Sequence, residues 1–193
     1  VTSILETRLV DGAWTDPVAV PFHTDPAFAC FEPTVSADGG LVLFLSNRAA
    51  PGQEQGTGWA NQNIFYSRRT PAGWTESAAV PAPITSDRAE FFPSLATDGT
   101  LYFTREDSAG HFAVYAAEPL PDRDGGPAFA DPVRLPDAVN VADQVYNAYA
   151  APDESFIVAC VAGHPENLGR VDYWISFRAG DGSWLPAVNM GEP

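Results

Sequence analysis

The chain has 193 residues, 45% of them hydrophobic and 12% aromatic, a composition typical of a folded globular domain rather than a disordered segment. Its 25 acidic residues outnumber 10 basic ones, all of them arginine, and the net charge of -15 repels phosphate backbones and anionic lipid. The sequence therefore argues against a nucleic-acid partner, and it contains no apolar run of the roughly 18 residues that a membrane span requires.

A short pattern of residues recurs along the chain at intervals of 60 and 55 positions. It consists of an aromatic-flanked proline, an Asp-Gly turn, an apolar strand, a second aromatic strand and a closing aromatic residue. The closing residues are Trp14, Trp74, Phe129 and Trp184. A fixed period is the sequence signature of a repeated supersecondary unit. We therefore divide the chain into four units, with approximate bounds 1–22, 23–82, 83–137 and 138–193.

The first unit is half missing. Residues 3–8 match the third strand of the pattern and residues 14–20 match the fourth, whereas the two inner strands have no counterpart. The second unit is complete, because a brief strand, a tight Asp-Gly turn, an almost wholly apolar strand and two increasingly polar strands follow one another. Its predicted strands are 32–36, 41–46, 63–68 and 74–80.

The third and fourth units repeat this order, and no segment with helical periodicity interrupts them. The third unit has predicted strands near residue 95, at 101–104, at 112–115 and, after a loop rich in Pro, Asp and Gly, at 129–135. The fourth has predicted strands at 156–160 and 172–177 and a last one that begins at Trp184.

Four antiparallel strands that become more polar outwards are typical of one blade of a β-propeller. We therefore predict an all-β fold, a single β-propeller with three full blades and one outer hairpin. Because the first unit lacks inner strands, the prediction is a partial ring belonging to a larger one of about six blades. A four-bladed closure with an irregular first blade is the alternative.

The second unit carries the pattern Glu-Pro-x-x-Ser-x-Asp-Gly, an apolar strand, Ser-Asn-Arg, a Gly-rich turn and Asn-Ile-Phe-Tyr-Ser. The residues concerned are Glu32, Pro33, Ser36, Asp38, Gly39, Phe44, Ser46, Asn47, Arg48, Asn63, Ile64 and Tyr66. This pattern resembles the WD-like repeat of TolB-type propellers. The resemblance weakens in the third unit, where Phe92 replaces the acid, and again in the fourth, where Glu154 replaces the turn glycine. It implies an extracytoplasmic bacterial protein, periplasmic or secreted, whose propeller face binds a protein, a peptide or a cell-envelope ligand.

Several residues that suggest chemistry have a structural interpretation. Each Asp-Gly pair offers one carboxylate, which suits a hairpin turn better than a calcium loop. Asp11 and Asp181 stand three positions before a tryptophan instead of the five of a sialidase aspartate box, so these tryptophans are expected to pack between blades. The histidines and cysteines show no metal-ligand spacing, and no phosphate-binding loop occurs, so we predict neither a metal nor a cofactor. These residues are His23, His111, His164, Cys30 and Cys160, and the two cysteines are expected to remain unlinked.

Ligands of propellers commonly bind where the inner strands begin, at the mouth of the central channel. The residues at these strand starts are Glu32, Phe92 and Asn147, and the loops before them contribute Asp25, Arg88, Glu90 and Asp143. A mouth rich in carboxylates favours a basic peptide or a cation. Ordinary solvated loops are the alternative for any single residue.

Two functions follow from this pattern. The first is a non-catalytic scaffold that binds a protein, a peptide or an envelope glycan, with missing blades supplied by further chain or by another subunit. The second is a propeller-fold glycoside hydrolase or sialidase-like enzyme, which needs two carboxylates about 5 to 9.5 Å apart. The inner strands supply Glu32 alone, which favours the scaffold.

Overall fold

The computed structural model describes residues 2–22 and 25–191. His23 therefore lies outside the described residues. Those residues form nineteen short strands and no helix, which confirms the prediction of an all-β chain. The described part of the chain accordingly has no helix with the length and hydropathy to cross a bilayer.

The strands follow one another in groups along the chain. The first group has β1 (Leu5–Glu6) paired with β4 (Val18–Ala19) and, between them, β2 (Leu9–Val10) paired with β3 (Ala13–Trp14). The second is an antiparallel sheet of β5 (Cys30–Val35), β6 (Leu41–Ser46), β7 (Asn63–Thr70), β8 (Gly73–Trp74) and β9 (Ala78–Ala79), in which β8 and β9 both pair with β7.

The third group comprises β10 (Glu90–Leu95), β11 (Leu101–Glu106), β12 (Phe112–Ala117) and β15 (Val133–Arg134), with a separate hairpin of β13 (Pro119–Arg123) and β14 (Gly126–Phe129). The fourth comprises β16 (Gln144–Ala150), β17 (Phe156–Ala162), β18 (Val171–Phe177) and β19 (Val188–Asn189). The third and fourth groups belong to one eight-stranded sheet, because Phe112 pairs in parallel with Gln144. None of the five sheets is closed.

The outer strand of the third unit differs from the prediction of 129–135. Phe129 ends β14, and the outer strand is only Val133–Arg134. The reason is that the preceding loop folds into a hairpin whose turn residues, Asp124 and Gly125, both have positive φ angles of 50° and 79°. An Asp-Gly pair with this geometry is the favoured connection of a two-residue hairpin.

The sheets stack through opposite faces. We call the face of a sheet that contacts the preceding unit its front face, and the other its back face. Val42 and Phe44 lie on the front face of the second sheet and pack on Ile4, Val20 and Phe22 of the first group. Side chains alternate along a strand, so the intervening residue Leu43 lies on the back face and packs on the third unit.

The third unit repeats this arrangement. Leu101 and Phe103 form its front face and contact the second sheet. Tyr102, between them, lies on the back face and packs on Ile157 and Ala159 of the fourth unit. An apolar run buried on both faces is the expected composition of such a strand.

The tryptophans and cysteines occupy different environments in the stack. Trp74 packs edge-on against Phe22 with ring centroids 5.7 Å apart, and Trp184 packs on the cluster between the third and fourth units. Trp14 is 69% exposed, so the expectation that it packs between units is wrong. Cys30 is buried and Cys160 half-buried, and no disulfide joins them.

Candidate functional site

Each inner strand carries a bulge at the predicted site. Glu32, Phe92 and Asn147 have φ angles of 55°, 51° and 53°, and the pairing register shifts at each of them. Residues other than glycine adopt this conformation rarely, and bulges redirect side chains. Three equivalent bulges at spacings of 60 and 55 residues support the repeat interpretation.

Glu32 and Phe92 come together in a cleft between neighbouring inner strands. This inner cleft has a volume of about 180 Å³. Its lining residues are Glu32, Pro33, Thr34, Phe92, Pro93, Ser94, Leu95, Tyr149, Ala150 and Pro152. The fourth unit thus contributes Tyr149 in place of the predicted Asn147, which does not line this cleft.

Polar side chains around the bulges join one unit to the next. The backbone N–H of Phe92 donates to Oε2 of Glu32 at 3.1 Å, and that of Leu95 donates to Oγ1 of Thr34 at 3.2 Å. In the same way the N–H of Asn147 donates to Oγ1 of Thr104 at 3.0 Å. The Glu32 carboxylate is therefore a structural acceptor between two units as well as a cleft residue.

Burial has a large effect on the acidity of Glu32. It raises the pKa of this carboxyl from 4.5 to about 7, against the smaller lowering effect of the hydrogen bond from Phe92. Desolvation disfavours the charged form, and no arginine lines the inner cleft to compensate. Glu32 accordingly takes up a proton near neutral pH, and it is the sole carboxylate among the lining residues of this cleft.

A second cleft lies on the loops beside the start of β10. This loop cleft has a volume of about 460 Å³. Its lining residues are Gly52, Gln53, Glu54, Trp59, Ala60, Asn61, Gln62, Asp87, Arg88, Ala89 and Glu106. Trp59 is 49% exposed, and its ring stands edge-on to Phe31 with centroids 5.1 Å apart. An indole held at one edge with a free surface can stack on a ligand.

The loop that forms one wall of the loop cleft is held by its own side chains. Nε2 of Gln53 donates to the carbonyl of Ser86 at 2.8 Å, and Nδ2 of Asn63 donates to Oε1 of Gln53 at 2.8 Å. The N–H of Gly56 donates to Oδ1 of Asn61 at 2.7 Å. These bonds connect the loop to the third unit and fix the polar groups that line the cleft.

Among the predicted loop residues, Arg88 lies in the loop cleft and Glu90 does not. The Arg88 side chain is 41% exposed, and its Nε lies 3.5 Å from Oδ1 of Asp87. Glu90 was predicted to lie in a loop at the channel mouth, and this is wrong. It is the first residue of β10, its side chain is fully buried, and it accepts a hydrogen bond from Nε of Arg105 at 3.0 Å.

The burial of Glu90 follows from its pairing partner. Glu90 and Arg105 face each other across β10 and β11, and the guanidinium also donates to the carbonyls of Pro83 and Ile84 at 2.8 and 2.7 Å. Ser86 donates to Glu90 through both its hydroxyl and its N–H. Burial raises the pKa of Glu90 even so. This ion pair is structural, because it anchors the loop that precedes β10.

The two remaining predicted residues are exposed loop carboxylates. Asp25 accepts a hydrogen bond from the N–H of Ala27 at 2.9 Å. The Asp143 side chain is 81% exposed, and its Oδ2 lies 3.9 Å from Nε2 of His111. Neither residue lines the inner cleft or the loop cleft.

A third cleft lies at the opposite ends of the inner strands, between the third and fourth units. This turn cleft has a volume of about 800 Å³, and Tyr102, Glu154, Arg178 and Trp184 are among its lining residues. The Tyr102 hydroxyl donates to Glu154, which also accepts from Nη1 of Arg178 at 2.8 Å, and Arg178 lies 5.2 Å from the Trp184 ring centroid. Burial and the hydrogen bond to Glu154 raise the pKa of Tyr102. The polar groups of this cleft are thus paired with one another.

The Asp-Gly turns are explained by their hydrogen bonds. Asp38 accepts from the hydroxyl of Ser36 at 2.6 Å and from the N–H of Gly40 at 2.9 Å, which lowers the pKa of its carboxyl. Gly39 between them has a φ of 69°. Both carboxylate contacts are made within the turn, as hairpin chemistry predicts. Among residues 2–22 and 25–191, no group of three or more His, Cys, Asp or Glu side chains has metal-binding geometry.

Comparison with known proteins extends to the fold. No protein-family model and no curated protein sequence matches this chain. A solved structure described as "Glycoside hydrolase" is similar to it with a TM-score of 0.51 and 13% identity over 86% of this chain and 58% of that one. Another, described as a complex of BT0996 and RGII, has a TM-score of 0.48 and 13% identity over 85% of this chain and 58% of that one. The chain therefore spans less than two thirds of the length of either neighbour, and the first likeness concerns the fold alone.

Proposed function

We propose that the units are blades of a β-propeller of the TolB type, with bounds near 22, 82 and 137, in a ring of about six blades. The proposal includes a periplasmic or secreted location. Its support is the packing order, in which the back face of each of the first three units contacts the front face of the next. The hydrogen bonds between neighbouring inner strands, such as that from Phe92 to Glu32, support a common inner rim.

We further propose that the protein is a non-catalytic scaffold that binds an envelope glycan in the loop cleft. The observation that carries this proposal is the half-exposed indole of Trp59 in a cleft lined by fixed amides and charged groups. The apolar face of a sugar ring stacks on an aromatic surface, and its hydroxyls pair with amide, carboxylate and guanidinium groups. Gln53, Asn61 and Arg88 supply such groups around Trp59.

The experiment is a calorimetric titration of the chain with peptidoglycan fragments and bacterial polysaccharides. Binding by the wild type, lost in Trp59→Ala and kept in Trp14→Ala, supports the proposal, because Trp14 is 69% exposed on a different unit. Equal binding by wild type and Trp59→Ala would contradict the loop cleft as the site. Binding of an arginine-rich peptide and of no saccharide would replace the glycan by a basic peptide.

A glycoside hydrolase is the second candidate, and one observation favours it. Glu54, Asp87 and Glu106 line the same cleft, and hydrolysis requires two carboxylates facing the scissile bond. The structural neighbour described as a glycoside hydrolase gives a reason to test this activity. Release of reducing ends by the wild type, abolished in Glu106→Gln or Asp87→Asn with binding retained, would make this the function. Binding without turnover supports the scaffold.

A further inference from the structure

The back face of the fourth sheet is apolar and exposed. Val171 is 45% exposed, Tyr173 62% and Phe177 48%, and all three lie at alternate positions of β18. Beside them, Leu168 and Met190 are 65% and 53% exposed and line a shallow groove of about 600 Å³. Contiguous exposed apolar residues of this kind mark an interaction surface.

The register of the strands identifies the equivalent positions in the other sheets. After the bulge, the first pair between the two inner strands is Thr34 with Leu43, Ser94 with Tyr102 and Tyr149 with Val158. Leu43, Tyr102 and Val158 are therefore equivalent. The partners of the next back-face position along these strands are Ile64, Val114 and Tyr173, since they pair with Leu45, Thr104 and Cys160.

These equivalent positions differ in burial alone. In the second sheet Leu43 and Ile64 are both 0% exposed, and in the third Tyr102 is 2% and Val114 0% exposed. In the fourth sheet Tyr173 is 62% exposed. The chain thus uses this face as an interface in two sheets and leaves it uncovered in the last.

The same partner covers both buried examples. The back face of the second sheet contacts Leu101 and Phe103, and that of the third contacts Ile157 and Ala159, which are front-face residues of the following sheet. We propose that the back face of the fourth sheet is the docking surface for a further sheet of the same repeat, which contacts it through an apolar front face. This proposal is independent of the ligand and of the loop cleft.

Charge supports a repeat sheet over a second copy of the whole chain. The net charge of -15 makes two copies repel each other, whereas the front-face residues of the second, third and fourth sheets that pack at these interfaces are apolar. A further sheet therefore satisfies the exposed apolar surface at no comparable electrostatic cost.

The experiment extends the full chain at its carboxyl end by a second copy of residues 138–191. The reporter is Cys160 of the original fourth unit, which is half-buried on the open face at the position paired with Tyr173. The appended copy carries Cys160→Ser, and the buried Cys30 provides a slow internal reference. We expect the rate of thiol modification at Cys160 to fall at least tenfold in the extended chain.

A matched control separates docking from mere attachment. An extended chain with Ala159→Glu in the appended copy places a charge on the docking front face, and its Cys160 should react at the rate of the unextended chain. Equal rates in all three proteins would contradict the proposal, as would an appended copy that stays unfolded by circular dichroism. A dimer of the unextended chain that already protects Cys160 would identify a second copy as the occupant and overturn it.

Discussion

Replacement of Glu32 by glutamine tests the account of the inner cleft. Glutamine has the size of glutamate and keeps an oxygen that accepts the hydrogen bond from the N–H of Phe92, 3.1 Å from the carboxylate. What it removes is the charge. The substitution therefore isolates the cost of ionising a carboxyl in a cleft where burial raises its pKa to about 7.

The sign of the effect follows from linkage between proton binding and folding. The folded chain holds this proton more tightly than the unfolded chain, whose carboxyl has the ordinary pKa of 4.5. The stabilisation is therefore complete below pH 4.5, declines between pH 4.5 and about 7, and is absent above. Each pKa unit corresponds to about 1.4 kcal/mol, and the partial exposure of Glu32 reduces the total, so we expect a loss of about 1 to 3 kcal/mol.

The assay is urea denaturation of wild type and Glu32→Gln at pH 5 and pH 8.5. We expect similar free energies of unfolding at pH 5 and a more stable variant at pH 8.5, by about 1 to 3 kcal/mol. Glu118→Gln, which removes an exposed negative charge from the chain, measures the effect of net charge alone. A difference between wild type and Glu32→Gln that is the same at both pH values, or that favours the wild type at pH 8.5, would refute the reasoning.

Three further substitutions test other contacts. Arg105→Leu leaves the buried Glu90 carboxylate without its ion-pair partner and should lower the free energy of unfolding by about 3 to 5 kcal/mol in urea denaturation; a loss below about 1 kcal/mol would contradict a buried pair. Gly56→Ala places a Cβ 2.5 Å from the Cβ of Ala60 in the wall of the loop cleft, so saccharide affinity should fall in calorimetry while the thermal midpoint changes little. Tyr102→Phe removes a buried hydroxyl that donates to a carboxylate and should cost about 1 to 3 kcal/mol, measured in the same denaturation assay.

The repeat and its strands were predictable from the sequence because they depend on local patterns. An unbroken apolar run predicted β6 at 41–46, and the strand is Leu41–Ser46. The Asp-Gly pairs predicted hairpin turns for the same reason, since a positive φ and a carboxylate acceptor are local requirements. The hairpin at Asp124 and Gly125 carried the same signal and was missed because the segment was interpreted as a loop.

The candidate site was less predictable because it depends on contacts between units. Nothing near Glu90 in the sequence indicates that Arg105 pairs with it across two strands and buries it. Trp59 was missed as well, since it lies in a Gly- and Gln-rich segment that resembles a simple connection. The hydrogen bond from Gln53 to the carbonyl of Ser86, 33 residues away, is what turns that segment into a wall of the cleft.

The most direct test of the proposed function is a nuclear magnetic resonance titration of the indole N–H groups with the saccharide that binds in calorimetry. The chain has five tryptophans, so five signals are expected. The account predicts that the Trp59 signal shifts in proportion to saturation while those of Trp14 and Trp74 stay unchanged. A shift of Trp184, which lines the turn cleft, with Trp59 unaffected would contradict it.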